Sequence, residues 1–343
     1  MRSKAIQLAI MIVFAFAAWG QTPADQNVDR VFRFTHTGTP QGFQEVTNAL
    51  RAITEMRNVS ADATAQALTV QGTADQVSLA EWLFHALDQP ASGQPTPTLE
   101  YRLTGAANPV VRVFYLTHTA TPQGSQEIVN TLRSVLELQR VVVVFGPRAL
   151  ALRGTLEQSA GAEWLIGGLD KPAGVQPLSG AARLEYTLPG NSPAPVARLF
   201  YLRNNVTPQG LGDVVNTVRA LADIQRLTVC NLPKALAMRG TADQVALSEW
   251  LIGKLDIAQP AQQPGAFEYP MPRSADGVVK VFYLSQNATP QGMQEMVNMI
   301  RSTAGIQRVV ACATPRVLAL RGSVDQVAQA ERLIQERDKS SGQ

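Results

Sequence analysis

Few side chains in this 343-residue chain could do chemistry on their own: it has three histidines and two cysteines. His36 and His118 hold matching places in two copies of a repeat, where the other copies carry Asn204 and Gln286, and His85 stands apart. That pattern argues against a metal site. No His-Glu-x-x-His, Gly-x-Ser-x-Gly, paired Cys-x-x-Cys or glycine-rich phosphate loop occurs. Two cysteines are too few for a disulfide framework. Cys230 and Cys312 follow Thr207 and Thr289, the threonines of two Thr-Pro-Gln-Gly tetrapeptides, at one and the same interval, and the second copy has Val144 there. They read as small buried apolar residues, with a bridge between repeats or chains as the other reading. We expect no catalytic residue, no metal and no cofactor.

What the chain does contain is one segment four times: TGTPQGFQEVTNALRA (37–52), TATPQGSQEIVNTLRS (119–134), NVTPQGLGDVVNTVRA (205–220) and NATPQGMQEMVNMIRS (287–302). An active site is needed once, whereas a surface made by stacking is needed repeatedly. Thr39, Thr121, Thr207 and Thr289 are each followed, always at the same distance along the chain, by a glycine: Gly72, Gly154, Gly240 and Gly322. The spacing from one tetrapeptide to the next is less strict, so the variation falls between copies.

Each copy opens on an aromatic and branched run, VFRF (31–34), VFYL (113–116), LFYL (199–202) or VFYL (281–284), which reads as a strand. The Thr of Thr-Pro-Gln-Gly can cap a helix whose first position takes Pro. Val46, Leu50 and Ile53 then form an apolar stripe, matched by Ile128, Leu132 and Val135. RVVVV (140–144), RLTVC (226–230) and RVVAC (308–312) read as a second strand. ALTVQ (67–71), ALALR (149–153), ALAMR (235–239) and VLALR (317–321) read as a third. Thr73, Thr155, Thr241 and Ser323 each begin a Ser/Thr-x-x-Gln capping box for a second helix. The unit is β-α-β-β-α. At about 60 residues it buries too little surface to be robust alone, and a neighbour would help it.

LEY (99–101), LEY (184–186) and FEY (267–269) precede copies two, three and four and can form a hairpin with the strand that follows. Pro/Gly/Gln-rich joints lie upstream of each. The modules expected are 28–90, 98–172, 183–258 and 266–339.

Trp82, Trp164 and Trp250 share one place in the second helix, where copy four has Arg332. A core position could not exchange Trp for Arg without burying an unpaired charge. Each Trp is therefore expected to pack on the linker or module that follows. Asn48, Asn130, Asn216 and Asn298 recur three residues before Arg51, Arg133, Arg219 and Arg301, on one helix face. They read as a solvated face, or as a polar docking stripe between modules or subunits.

At the N-terminus, Arg2 and Lys4 precede an apolar run to about Trp19 and then small and polar residues. This is the layout of a signal peptide over 1–20, cut after Gly20 or Ala17, and the run is short for a membrane anchor. Loss of Arg2 and Lys4 leaves 28 of the 30 basic residues against 27 acidic ones. So neutral a chain attracts polyanions weakly, which with export argues against nucleic acid.

The capped first helix, the strand ending in Gly-Thr and the helix ending in Leu-Asp-x-Pro, as in RALALRGTLEQSAGAEWLIGGLDKP (148–172), resemble the secretin N-domain, or NolW-like, repeat. The resemblance spans all four copies. It implies an α+β fold of four tandem KH-like modules, with an extra hairpin strand before modules 2–4, and a periplasmic setting in which modules pack side by side. Two departures stand out. The family places Asn before the third strand, where this chain has Gln66, Arg148, Lys234 and Arg316, and no secretin pore domain follows in this sequence. The function expected is a non-enzymatic exported scaffold or accessory of a secretion or pilus-type assembly, in the periplasm or at the outer membrane. Its partner would be a protein, such as a secretin or other envelope subunit, or a second copy of the chain. The alternative is a periplasmic repeat protein that binds cell-wall glycan or an exported peptide.

Overall fold

The structure is a computed structural model that describes residues 27–90, 97–104, 109–172, 185–188, 195–258, 265–271, 277–284 and 289–340. The expected signal peptide and most of the linkers lie outside the described residues. Module 1 consists of β1 (Val28–Arg33), α1 (Pro40–Thr54), β2 (Asn58–Asp62), β3 (Ala67–Gly72) and α2 (Ala74–Leu87). Module 2 adds a leading strand: β4 (Leu99–Arg102), β5 (Val110–Tyr115), α3 (Pro122–Leu136), β6 (Arg140–Val144), β7 (Ala149–Gly154) and α4 (Leu156–Leu169). Module 3 repeats this with β8 (Glu185–Thr187), β9 (Val196–Tyr201), α5 (Pro208–Ala222), β10 (Arg226–Cys230), β11 (Ala235–Gly240) and α6 (Ala242–Leu255). Module 4 is β12 (Gly265–Pro270), β13 (Val278–Tyr283), α7 (Pro290–Thr303), β14 (Arg308–Cys312), β15 (Val317–Gly322) and α8 (Val324–Ser340). The fold is α+β, with four antiparallel sheets ordered β1-β3-β2, β4-β5-β7-β6, β8-β9-β11-β10 and β12-β13-β15-β14.

Local chemistry sets the helix starts. Thr39, Thr121, Thr207 and Thr289 accept from the amides of Gly42, Gly124, Gly210 and Gly292 at 3.0–3.1 Å. Glycine is needed at the third place because a Cβ on Gly42 would lie 2.6 Å from Thr37 Cγ2, and one on Gly124 would lie 3.0 Å from the Thr119 carbonyl. Thr73, Thr155, Thr241 and Ser323 close reciprocal capping boxes with Gln76, Gln158, Gln244 and Gln326. Gln66, Arg148, Lys234 and Arg316 all have φ between 48° and 62°. Asn tolerates this left-handed region better than they do, which gives the family's preference a physical reason.

Side chains alternate across each sheet, and both faces of sheets 2–4 are used. Phe114, Leu150 and Leu152 face the helices of their own module. Val111, Val113, Val144, Ala149 and Ala151 join the cluster of Val46, Leu50 and Ile53 in the module before. Ala197, Leu199, Cys230, Ala235 and Ala237 join module 2 in the same way, and Val279, Val281, Cys312, Val317 and Ala319 join module 3. The chain is therefore a stack of sheet on helix, repeated, and its cores run across the module boundaries.

The two ends of the stack differ from its interior. On the outer face of the first sheet, the places of Val111, Val113 and Tyr115 are taken by exposed Asp29, Val31 and Arg33, flanked by exposed Asn58, Ser60, Thr69 and Gln71. At the other end, Thr303 is exposed where Ile53, Val135 and Leu221 are fully buried. Repeat stacks need polar terminal faces of this kind to stay soluble.

Candidate functional site

The repeated chemistry of the chain lies in the three joints. At each one the first helix of a module ends on an acidic residue in the left-handed conformation: Glu55 (φ 63°), Glu137 (φ 58°) and Asp223 (φ 55°). Such a backbone is unfavourable for a residue with a Cβ and marks a position held by its surroundings. The next module supplies the reason. Arg140 and Arg153 pair with Glu55, Arg226 and Arg239 with Glu137, and Arg308 and Arg321 with Asp223. In module 4, which has no described module packed beyond it, Gly305 takes the same place at φ 68°.

The second arginine of each pair also bonds the end of the preceding helix. Arg153 donates to the Ile53 carbonyl at 2.9 Å, Arg239 to Val135 at 3.2 Å and Arg321 to Leu221 at 2.7 Å. The last carbonyls of a helix have no partner within it and carry its negative end, so a guanidinium from the next module satisfies both needs. A carboxylate earlier in the helix acts as acceptor: Glu45 takes the Phe145 amide, Glu127 the Asn231 amide and Asp213 the Ala313 amide, at 2.7–3.1 Å. Burial raises the Asp213 carboxyl above the usual range, and the Ala313 amide offsets part of that. A tyrosine hydroxyl completes each joint, donating from Tyr115 to Ala86, from Tyr201 to Gly168 and from Tyr283 to Lys254, each at 2.7 Å.

The cysteines belong to this surface. Cys230 lies 3.4 Å from the Thr131 hydroxyl and Cys312 lies 3.1 Å from Thr217, both across a joint. Both are buried free thiols. Burial pushes the Cys230 thiol up to about 12 and the Cys312 thiol up to about 11, with the threonine hydroxyls pulling the other way.

Trp82 packs on Tyr101, Trp164 on Tyr186 and Trp250 on Tyr269, at centroid separations of 5.4–5.8 Å, the middle pair stacked and the other two tilted. Each tyrosine is on the leading strand of the following module, and Arg332 is exposed. Asn48, Asn130, Asn216 and Asn298 are exposed, and Gln126 donates to Asn130. Arg51, Arg133, Arg219 and Arg301 each reach the carbonyl of Val59, Val141, Leu227 or Val309 in their own module. Among the described residues, no hydrogen bond across a joint uses these Asn and Arg side chains; the carboxylates one turn before the Asn residues, Glu45, Glu127 and Asp213, do cross it.

The Asp after the second helix, within Leu-Asp-x-Pro in modules 1 and 2 and Leu-Asp-Ile-Ala in module 3, has one task in all three. Asp88 accepts the amides of Thr35, His36 and Thr37, Asp170 those of Thr117, His118 and Thr119, and Asp256 those of Arg203, Asn204 and Asn205. This ties the end of the second helix to the loop before the first. Burial opposes ionisation of Asp88, but the Thr35, Thr37 and His36 bonds outweigh it and hold the carboxyl at about 2. Arg337, in place of Leu87, Leu169 and Leu255, lies within α8 and pairs with Glu295 at 2.8 Å.

The Trp positions and the caps were singled out in the sequence, and the acids and arginines of the joints were not. Their signal was present: the acidic partners occur in copies one to three, and their arginine and tyrosine partners in copies two to four.

Among the described residues, no helix is long and apolar enough to cross a membrane, and no cluster of three or more His, Cys, Asp or Glu could hold a metal ion. No family model matches the chain, and no curated protein matches it. Among solved structures it is similar to Aeromonas hydrophila ExeD, at 14% identity over 87% of this chain, with a TM-score of 0.16. It is also similar to a chain of the ETEC pilotin–secretin AspS–GspD complex, at 14% identity over 90% of this chain, with a TM-score of 0.16. The chain spans 59% and 55% of the lengths of these two proteins.

Proposed function

We propose that this chain is a non-enzymatic, exported scaffold of secretin N-domain type that works by protein–protein contact in a cell-envelope assembly, with a secretion or pilus machine as its setting. The carrying observation is the thrice-repeated joint. Its acids and arginines pair across module boundaries, its tyrosine hydroxyls donate to carbonyls of the preceding module, and in two joints a buried thiol meets a threonine hydroxyl. Their product is a surface that continues from each module to the next. The signal-like N-terminus and the resemblance of residues 148–172 support export and the envelope setting. Within this reading the units are 28–90, 98–172, 183–258 and 266–339, the leader is 1–20, and the exposed Asn48, Asn130, Asn216 and Asn298 are free to meet a partner.

Crosslinking in the native envelope, followed by mass-spectrometric identification, tests it. The expected result is a crosslink to an envelope-complex subunit from exposed helix faces or strand edges. Recovery of the mature chain from the cytosol, or sedimentation with purified cell wall and no protein crosslink, would replace the scaffold by another function.

A further inference from the structure

The sheets of modules 2–4 have four strands and the first has three. The difference is at one edge: β4 covers β5, β8 covers β9 and β12 covers β13, while among the described residues nothing pairs with the outer edge of β1. An uncovered strand edge presents unpaired backbone donors and acceptors.

A cation stands at that edge. Arg30 holds the place of Arg112, Arg198 and Lys280, each of which sits between two carboxylates. Arg112 is 2.6 Å from Glu100 on the leading strand and 2.7 Å from Glu163 on the second helix. Arg198 is paired in the same way with Glu185 and Glu249. Lys280 is 3.5 Å from Glu268 and 2.9 Å from Glu331. In each case the leading-strand carboxylate is directly opposite the cation in register. The three side chains are 14–17% exposed, whereas Arg30 is 54% exposed and has Glu81 at 3.9 Å.

Arg30 is thus the one member of the set with its helix carboxylate and no strand carboxylate among the described residues. It is not a guard against edge pairing, since its equivalents lie beneath covered edges. Nor does the chain's own upstream sequence offer the acid. The interval that separates Glu100 from Arg112, or Glu185 from Arg198, falls on Ala18 or Ala17 when counted back from Arg30.

We propose that the open edge of β1 takes an extended peptide segment of a protein partner, antiparallel to β1, with a carboxylate opposite Arg30. Strand addition of this kind gains affinity from main-chain bonds and specificity from alternate side chains. The outer face of β1 defines the rest. Asp29 calls for a basic residue opposite, Val31 for an aliphatic one and Arg33 for an acidic one. Read from its N-terminus, the segment is acidic, any, aliphatic, acidic, basic. The chain's own Leu99-Glu100 and Phe267-Glu268 supply the central apolar–acidic pair in β4 and β12.

This deepens the scaffold reading and rests on it only for the existence of a protein partner. The test is fluorescence anisotropy of the full chain with a labelled peptide containing Glu-Thr-Leu-Glu-Lys. Saturable binding is expected. Changing the second Glu of the peptide to Lys, or Arg30→Glu in the protein, should weaken it about tenfold or more, as for loss of a charge-assisted bond. Pairing Arg30→Glu with the Lys peptide should restore it. Circular dichroism checks that the half-exposed Arg30→Glu variant is folded. No saturable binding, binding indifferent to both exchanges, or self-association through β1 in place of peptide binding overturns the proposal. A failed titration removes this edge site, while the crosslinking experiment decides the scaffold reading separately.

Discussion

The joint between modules 2 and 3 gives the sharpest quantitative prediction, through Arg239→Ala. The Arg239 side chain is 17% exposed, donates to the Val135 carbonyl at 3.2 Å and lies 3.2 Å from Glu137. Its loss leaves a helix-terminal carbonyl without its donor in a mostly buried setting, which costs roughly 1.5–3 kcal/mol for a bond from a charged group. Glu137 is 47% exposed and keeps Arg226, so the lost ion pair adds only about 0.5 kcal/mol. The buried stem adds about 1 kcal/mol of apolar contact. The joint is thus weakened by roughly 3–4.5 kcal/mol, a large share of the roughly 5–15 kcal/mol that holds a domain folded. In a stack whose stability is a sum of unit and neighbour terms, such a loss uncouples the two halves. Urea unfolding followed by tryptophan fluorescence and far-ultraviolet circular dichroism reads this out. The native chain should unfold with coincident probes, and the variant in two phases, the first displaced by on the order of 1 M. Arg102→Ala, an exposed pair within one hairpin, is the control and should cost under about 0.5 kcal/mol. If Arg239→Ala cost no more than this control, the joint would not be a unit of stability and the stacked account would fail.

Cys230 and Cys312 should resist a thiol reagent in the native chain and react on unfolding, because both are buried and their pKa values are raised; labelling at the rate of a free thiol would refute their placement. In Arg239→Ala, Cys230 should become reactive before Cys312, since only Cys230 sits in the weakened joint. Asp88 is held at about 2 in the folded chain against 3.8 when free, so the unfolded state binds the proton first as pH falls. Its contribution, up to about 2 kcal/mol, should be complete above about pH 4 and be lost toward pH 2, and Asp88→Asn should flatten that part of the stability–pH curve. Gly124→Ala should destabilise by about 1 kcal/mol, as crowding against the Thr119 carbonyl outweighs the gain in helix propensity. Gly167→Ala, with nothing within 4 Å of the new Cβ, should stabilise by about 0.5–1 kcal/mol, and thermal melts distinguish the two.

Strands, helices and caps were legible because each is fixed by residues a few places apart, and four copies repeat the message. The tryptophans were legible for a different reason: Arg332 breaks the pattern in the copy with no described module beyond it. The same logic would have exposed Glu55, Glu137 and Asp223, which give way to Gly305, and Arg153, Arg239 and Arg321, which give way to Gln71. Seeking what all four copies share hides a contact whose two sides are shared by three each. The Asn–Arg face shows a different limit of sequence spacing. Spacing places both residues on one side of a helix but does not say where a long side chain ends, and these guanidiniums fold onto a strand of their own module.

The unlike ends of the stack bear on how its length can change. Any internal acid–arginine–tyrosine seam is chemically the same as any other, so excising or duplicating one whole period would bring together surfaces that already fit. Head-to-tail packing would instead set Gly305 against Asn58 and Gln71, where each internal joint sets an acid against two arginines, and would place Thr303 where Ile53, Val135 and Leu221 stand. The stack can therefore change length in whole units without inventing a contact, whereas its two described end faces lack the groups that make an internal joint.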